Sequence, residues 1–302
     1  MDIVSALVCT RNRSDSLVRT VRSLLAGSAQ AFELIVMDQS DTDDSERALA
    51  ELGPDARLRY VRTDLRGKGA ALNAGLQLAR GAIVVCTDDD CEAPPGWAAG
   101  MTLTLEAHPG AAVLFCNVIA GAHDPRAGYV PAYERQTDRT LRSIAGARHG
   151  IGLGAGMALR REPVLSLGGF DPTFGPGSRF GSCDDWDISL RALLRGWHVD
   201  DTAARSVVHH GFRTFAEGRD HALRDWIAIG ALCAKPIRAG HPSGLVLAVW
   251  YFAGNAVWPP LRDVLRLQRP SGAARIAGFA RGFFQGILTP IDRQTLHFRV
   301  KG

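Results

Sequence analysis

Over residues 4 to 118, short unbroken apolar runs alternate with stretches in which apolar residues return every three or four positions. The runs at 4–10, 33–38 (ELIVMD), 58–62 (LRYVR), 82–87 (AIVVCT) and 111–118 (AAVLFCNV) have strand length. After the first, Ser14 reads as a helix N-cap. Leu17, Val21, Leu24 and Leu25 follow at helical spacing, and Gly27 supplies the stop. A polar helix is expected over 43–52, and another over 67–79 carries Leu72, Leu76 and Leu78 and is closed by Gly81. Continuous apolar strands alternating with helices predict an α/β architecture, a mostly parallel central sheet covered by helices on both faces. Sheets of this kind bind ligands beyond the C-terminal strand ends. Asp38 and the aspartates 88–90 stand at two such ends.

Further along, 119–150 reads as loop and irregular helix, and 150–162 as a glycine-rich turn followed by a strand. Residues 181–197 read as a helix entered from a glycine-rich loop, and RSVV before His209 as another strand. No GxGxxG follows the first strand, which argues against a dinucleotide-binding fold.

Composition narrows the class. The 302 residues are 46% hydrophobic and 22% charged, enough for one large domain or two modest ones. Six cysteines without a CxxC pair predict buried, reduced thiols and a cytosolic compartment. The start, MDIVSALVCTRNR, has an acid at position 2 and no basic leader, and reads as a first strand rather than a signal peptide. Charge is uneven. From residue 219 to 302 there are 12 Lys and Arg against 4 Asp, whereas 1–218 carries 23 basic against 27 acidic side chains.

That basic tail contains the most apolar stretch of the chain, 244–261, interrupted by Asn255 and by Pro259–Pro260, which leaves too short a run for a spanning helix. Arg262, Arg266, Arg269, Arg275 and Arg281 accompany it, with Trp226, Trp250, Trp258, Phe279, Phe283 and Phe284. Aromatics mixed with arginines suit a segment lying on an anionic membrane surface. The competing reading is a helical appendage packed on the catalytic body or on a second subunit, for which the small residues of 273–286 would serve. No nucleic-acid-binding module is recognisable.

The candidate chemistry lies in the carboxylates. In an extended chain Asp88 and Asp90 would point together and Asp89 away, and two converging carboxylates suit a hard divalent cation. A solvated acidic turn is the plainer alternative. For Asp38, where a strand ends, the plainer alternative is an Asx-turn residue.

Taken in order, VSALVCTRNR, ELIVMDQSDTDDS, RGKGAALNAGLQLARGAIVVCTDDD, GGFDPTFG and CDDWDISLRALLRGW resemble glycosyltransferase family 2 over roughly residues 3–210. The resemblance implies a GT-A fold and inverting transfer from a nucleotide-diphosphate sugar. It implies a catalytic domain over 1–218, with a nucleotide-binding half (1–118) and an acceptor-binding half (119–218), and a helical basic extension over 219–302. By position it assigns Thr10, Arg13, Asp38, Gln39, Lys68, Asp88 and Asp89 to the donor. Gln39 replaces a second acid found in relatives, and Leu72 replaces an arginine. Asp90 would bind Mn²⁺ or Mg²⁺, with Asp88 on the ribose or metal side and His209 or His210 as a further ligand. Gly154 and Gly156 would let the backbone approach the donor sugar.

Asp185 aligns with the catalytic base and Asp184 is the second candidate. Ser182 and Asp185 also have capping-box spacing, and Asp187 and Arg191 have that of an intrahelical ion pair. The expected acceptor is a lipid-linked or cell-surface glycan at the cytoplasmic face of a membrane, with oligomerisation open. No QxxRW follows the catalytic helix, which favours addition of a single sugar. The rivals are a nucleotidyltransferase acting on sugar phosphates and a non-catalytic sugar-nucleotide-binding scaffold.

Overall fold

The N-terminal half begins with β1 (Val4–Thr10), α1 (Ser14–Ala26), β2 (Phe32–Asp38), α2 (Asp44–Ala50) and β3 (Leu58–Arg62). It continues through α3 (Lys68–Leu78), β4 (Ile83–Asp88), β5 (Cys91–Glu92), α4 (Trp97–Glu106) and β6 (Ala111–Ala120). The structure, a computed structural model, describes residues 3–27, 31–269 and 272–299, so the acid at position 2 lies outside the described residues. All seven residues of β2 are buried, as a strand covered on both faces requires. Alternate residues of β1 and β2 feed two cores. Leu7, Ile35 and Met37 meet Leu72 and Leu76 of α3 on one face. Ala6, Val8, Leu34 and Val36 meet α1 and Met101 of α4 on the other. Ser14 opens α1 but makes no cap hydrogen bond, the N-cap position falling on Arg13.

The chain then forms β7 (Gly128–Tyr129), β8 (Arg139–Leu141), β9 (Met157–Arg160), α5 (Arg161–Ser166), α6 (Asp184–Leu194), β10 (His198–His209) and β11 (Arg213–Thr214). The main sheet runs β3-β2-β1-β4-β9-β6-β10-β5, with β8 beside β10. β1, β2, β3 and β4 are parallel, as are β6 and β10. β9, the strand after the glycine-rich turn, is antiparallel to both β4 and β6 and joins the two parallel halves. A parallel sheet therefore describes each half, and an antiparallel strand the seam. The six cysteines are all free, and four of them are buried.

The tail consists of α7 (Phe215–Arg238), α8 (Ser243–Val249), a π-helical turn (Trp250–Val257), α9 (Trp258–Leu265) and α10 (Ala274–Leu288). It shares one core with the sheet, contributing Leu232, Tyr251, Phe279 and Phe298. The expected break at Pro259–Pro260 does not occur. These prolines fall in the first turn of α9 after the widened π turn, where a missing N–H does little harm, so helix runs through Ser243–Leu265. That helix is, by length and composition alone, long and apolar enough to cross a membrane.

α10 lies against α7 through Gly278, Gly282 and Gly286. A methyl on Gly282 would sit 1.8 Å from the Ile227 carbonyl oxygen. Gly282→Ala should therefore push the helices apart and cost about 1–3 kcal/mol, read as a lowered Tm. An unchanged Tm would mean that this contact is looser than described.

A buried charge network ties α7 to α6. Lys235 of α7 donates to Asp171 Oδ2 at 2.7 Å and also bonds Asp187. The Asp187–Arg191 pair on α6 is present at 2.8 Å, with both side chains fully buried. Phe174 and Phe298 place their rings within 4.7 and 4.8 Å of the ammonium, and the Phe298 N–H donates to Asp171 Oδ2 at 2.8 Å.

Candidate active site

A cleft of about 650 Å³ opens at the C-terminal ends of β1, β2 and β4 and is walled by α6 and α7. β4 ends at Asp88 and the chain turns at once, so strand alternation stops there. Asp88 consequently turns to Lys68 while Asp89 and Asp90 share Arg13, so the pairing that forms is Asp89 with Asp90 rather than the expected Asp88 with Asp90. Asp88 pairs with Lys68. Asp89 accepts from Thr10 Oγ1 at 2.7 Å and from Arg13 at 3.1 Å. Asp90 accepts from the same Arg13 guanidinium at 2.8 Å. Burial, against the opposing charge of Arg13, pushes Asp89 up to about 6. For Asp90 burial is overcome by His209 and Arg13, which hold it down at about 2.

Pairing of β10 with β5 sets His209 opposite Cys91, beside Asp90. The His209 ring donates Nδ1–H to the Pro131 carbonyl at 2.9 Å, since a carbonyl can only accept. Its Nε2 lies 3.2 Å from Asp90 Oδ1, a buried oxygen with no hydrogen-bond partner. Two acceptor atoms facing one another suit a proton or a divalent cation between them, and a carbonyl-oriented imidazole is the usual metal-binding arrangement. Gly211 keeps the approach open. A methyl there would stand 2.6 Å from His209 Nε2 and 2.7 Å from Asp90 Oδ2. Cys91 Sγ is near enough to join them, although a soft thiolate suits a hard Mn²⁺ or Mg²⁺ less well than carboxylate oxygen does. The residues present therefore fit a metal at Asp90 and His209. His210, the next residue along the strand, turns the other way to Glu92 at 3.2 Å.

Asp184 and Asp185 line the same cleft. The N-cap of α6 is Cys183, held at φ 66 with no side-chain cap, so the Ser182–Asp185 capping box does not form. A left-handed non-glycine residue costs roughly 1–3 kcal/mol and is typical of functional turns. Here it sends the first turn of α6 into the cleft. Asp185 Oδ2 accepts from the Gly154 N–H at 2.7 Å and Oδ1 from the Trp186 N–H at 2.8 Å. Each oxygen keeps a lone pair. Burial, with Asp184 beside it, pushes Asp185 up to about 7, and burial raises Asp184 too. For Lys68 burial works in the opposite direction, but Asp88, Asp184 and Asp185 outweigh it and keep the amine charged.

Two expected donor residues lie elsewhere. Asp38 is fully buried, its Oδ1 accepting from the Ser40 N–H at 2.7 Å and its Oδ2 from the Tyr60 hydroxyl at 2.6 Å. It is an Asx-turn residue outside the cleft wall. Gly156 is also absent from the wall. Cys116 Sγ, 2.7 Å from where its Cβ would be, explains the missing side chain. Gln39 does line the cleft. Its amide nitrogen is committed to the Leu65 and Gly67 carbonyls at 2.6 and 3.2 Å, which leaves it an acceptor to offer. Gly154 is in place through its N–H on Asp185.

Sequence reasoning missed Gly211, and it missed the wall formed by Arg213 of β11 and by Glu217, His221, Arg224 and Asp225 of α7.

A family model described as Glycosyl transferase family 2 matches residues 5–167, more than half of the chain. The glucosyl-dolichyl phosphate glucuronosyltransferase of Haloferax volcanii is 24% identical over 183 residues, 57% of this chain and 57% of that protein. The UDP-Glc:alpha-D-GlcNAc-diphosphoundecaprenol beta-1,3-glucosyltransferase WfaP of Escherichia coli is 29% identical over 91 residues, 30% of this chain and 36% of that protein. The chain thus spans about a third to just over half of the length of these relatives.

Among solved structures, the mannosyltransferase PcManGT from Pyrobaculum calidifontis, in complex with GDP-Man and Mn²⁺, superposes with a TM-score of 0.60 at 20% identity. The match covers 93% of this chain and 87% of that one. TarS 1-349 of S. aureus, in complex with UDP-GlcNAc, gives 0.66 at 13% identity, covering 95% and 82%. These likenesses define the fold as GT-A. The chain belongs to glycosyl transferase family 2.

Proposed function

We propose that this protein transfers one sugar, with inversion, from a nucleoside-diphosphate sugar to an acceptor hydroxyl. The observation that carries this reading is what the cleft brings together: cationic and metal-competent groups (Arg13, Lys68, Asp90, His209) and a half-buried carboxylate raised to about 7, Asp185. In the step derived from these residues, the acceptor oxygen attacks the anomeric carbon as its proton passes to Asp185. The bond from that carbon to the diphosphate oxygen breaks, and its electron pair leaves on the phosphate. Lys68 and Arg13 supply positive charge for the leaving group, and Gln39 offers an acceptor to the base. Mn²⁺ or Mg²⁺ held by Asp90 and His209 would neutralise the charge that develops on the diphosphate. The N–H groups of Gly154 and Trp186 fix the Asp185 carboxylate, so its orientation is set before the acceptor arrives.

The α7 wall lines the side from which an acceptor would approach. The two named relatives are transferases on a dolichyl phosphate and a diphosphoundecaprenol carrier, which supports a lipid-linked acceptor and action at a membrane surface. Incubation with a panel of nucleotide sugars and an acceptor, followed by NMR of the product anomer, tests the reading. Inverted product from one donor is expected, whereas retained configuration or no turnover with any donor would contradict it. A base with pKa near 7 further predicts that kcat/KM rises about tenfold per pH unit below 7 and levels off above it. A rate that falls as pH rises through 7 would assign Asp185 the opposite role.

A further inference from the structure

We propose that the helix Ser243–Leu265 and the residues just beyond it form a docking face for an anionic lipid bilayer, with the helix lying in the plane of the surface rather than crossing it. The inference deepens the lipid-linked acceptor reading but stands on separate observations. The first is that the helix is two-faced. Leu247, Tyr251, Ala256 and Pro260 are buried against the protein, and 33% of its most apolar stretch is covered. The opposite side exposes Val249, Trp250, Trp258, Leu261, Leu265 and Leu267, the last almost entirely (97%). A helix with one side fixed to a charged body cannot be surrounded by lipid. Immersing it would also drag in its packing partner α7, which carries Arg219, Asp220, Arg224 and Asp225. Lying flat satisfies both sides, with apolar residues among acyl chains and aromatic rings at headgroup level.

The second observation is charge. Between residues 238 and 288 there are six arginines and a single acid, Asp263. That acid is mostly buried and lies 3.4 Å from Arg262. Arg238, Arg262, Arg266, Arg269 and Arg281 are exposed, and Arg148 stands over the Trp250 ring at 5.9 Å. Apolar side chains amid arginines in large excess over acids complement anionic headgroups. The same excess disfavours a second copy of this chain as the occupant, because a two-fold contact would set arginines against arginines. The face is also joined to the cleft. Tyr251 packs its ring on Trp186, which lines the cleft beside Asp185, with centroids 5.8 Å apart. The helix that carries the face thus touches the cleft wall through its buried side.

The test is co-sedimentation of the full chain with phosphatidylcholine vesicles and with phosphatidylcholine–phosphatidylglycerol vesicles. Two exposed-site variants accompany it, Trp258→Ser/Leu265→Ser/Leu267→Ser and Arg262→Gln/Arg266→Gln/Arg269→Gln. The intact protein should pellet with the anionic vesicles and far less with the neutral ones. Each arginine removed should weaken the anionic partition about fivefold, and the apolar triple should abolish binding to both. Thermal melts check that the variants are folded, and light scattering reports the oligomeric state. No pelleting with anionic vesicles, or pelleting undiminished in the folded apolar variant, would overturn the proposal. So would a dimer that the apolar variant dissociates while vesicle binding is absent, since the face would then be a contact between copies. Nucleotide binding measured without lipid separates this outcome from failure of the donor-site reading.

Discussion

Asp185→Asn is expected to lower kcat by about 10²–10⁴-fold, the usual contribution of a positioned general base, while nucleotide affinity stays within a few-fold of the intact protein. Asparagine is isosteric, but its single carbonyl oxygen can accept from only one of the Gly154 and Trp186 N–H groups, so a thermal melt checks that the loop and the start of α6 keep their places. What it loses is the capacity to take a proton. The rise of rate toward pH 7 should vanish with it, which separates a chemical role from a structural one. Asp184→Asn should do less to the rate, because the Asp184 charge acts through its neighbours Lys68, Asp88 and Asp185. Equal losses of kcat in the two variants, with the pH profile kept in Asp185→Asn, would move the base to Asp184. A folded Asp185→Asn variant with unchanged kcat would leave a binding scaffold as the better reading.

Lys235→Met should cost about 3–5 kcal/mol of stability, as removal of one partner from a buried charge network does. Methionine keeps the length and apolar contact with Phe174 and Phe298 but abandons the carboxylates of Asp171 and Asp187. Arg191 remains paired with Asp187 through Oδ2, so Asp171 is the more exposed to the loss. In the intact protein burial would raise Asp171, yet Lys235 and the N–H groups of Phe298 and Thr173 bring it down to about 2. A depressed carboxylate stabilises the fold above its ordinary value of 3.8 and loses that contribution as pH falls toward 2. The intact protein should therefore weaken between about pH 4 and pH 2, and Lys235→Met should already lack most of that dependence. Denaturant titrations at pH 7 and across the acid range check both. Intact stability in Lys235→Met at pH 7 would show that α7 is held by packing alone.

Strands β1, β2, β4 and β6 were legible because both their faces are buried and apolar runs mark them; 58–62 agrees residue for residue with β3, although that edge strand is only half-buried. The 187–191 ion pair was legible as an i, i+4 spacing on one helix. Lys235 was not, because its partners lie 48 and 64 positions away and only the packing of α7 brings them together. The facing of 88–90 failed for a related reason. Alternation holds only while the strand continues, and the turn after Asp88 hands Asp90 to a histidine on β10. Asp38 shows local chemistry prevailing, since its carboxylate was claimed by the N–H two residues on. Between His209 and His210 the sequence offers no choice. The register of β10 against β5 makes it. Gly211 had no signal at all, because its value lies in the side chain it lacks.

The most direct test of the central claim is a thermal-shift titration of nucleoside diphosphates with and without Mn²⁺, on the intact protein and on Asp90→Asn. A ligand at about 100 times its Kd should add about 2.7 kcal/mol. The account predicts one diphosphate that stabilises the intact protein with Mn²⁺ and loses most of that shift in Asp90→Asn. A shift undiminished by the substitution would contradict the metal site, and no shift with any diphosphate would contradict the donor site itself.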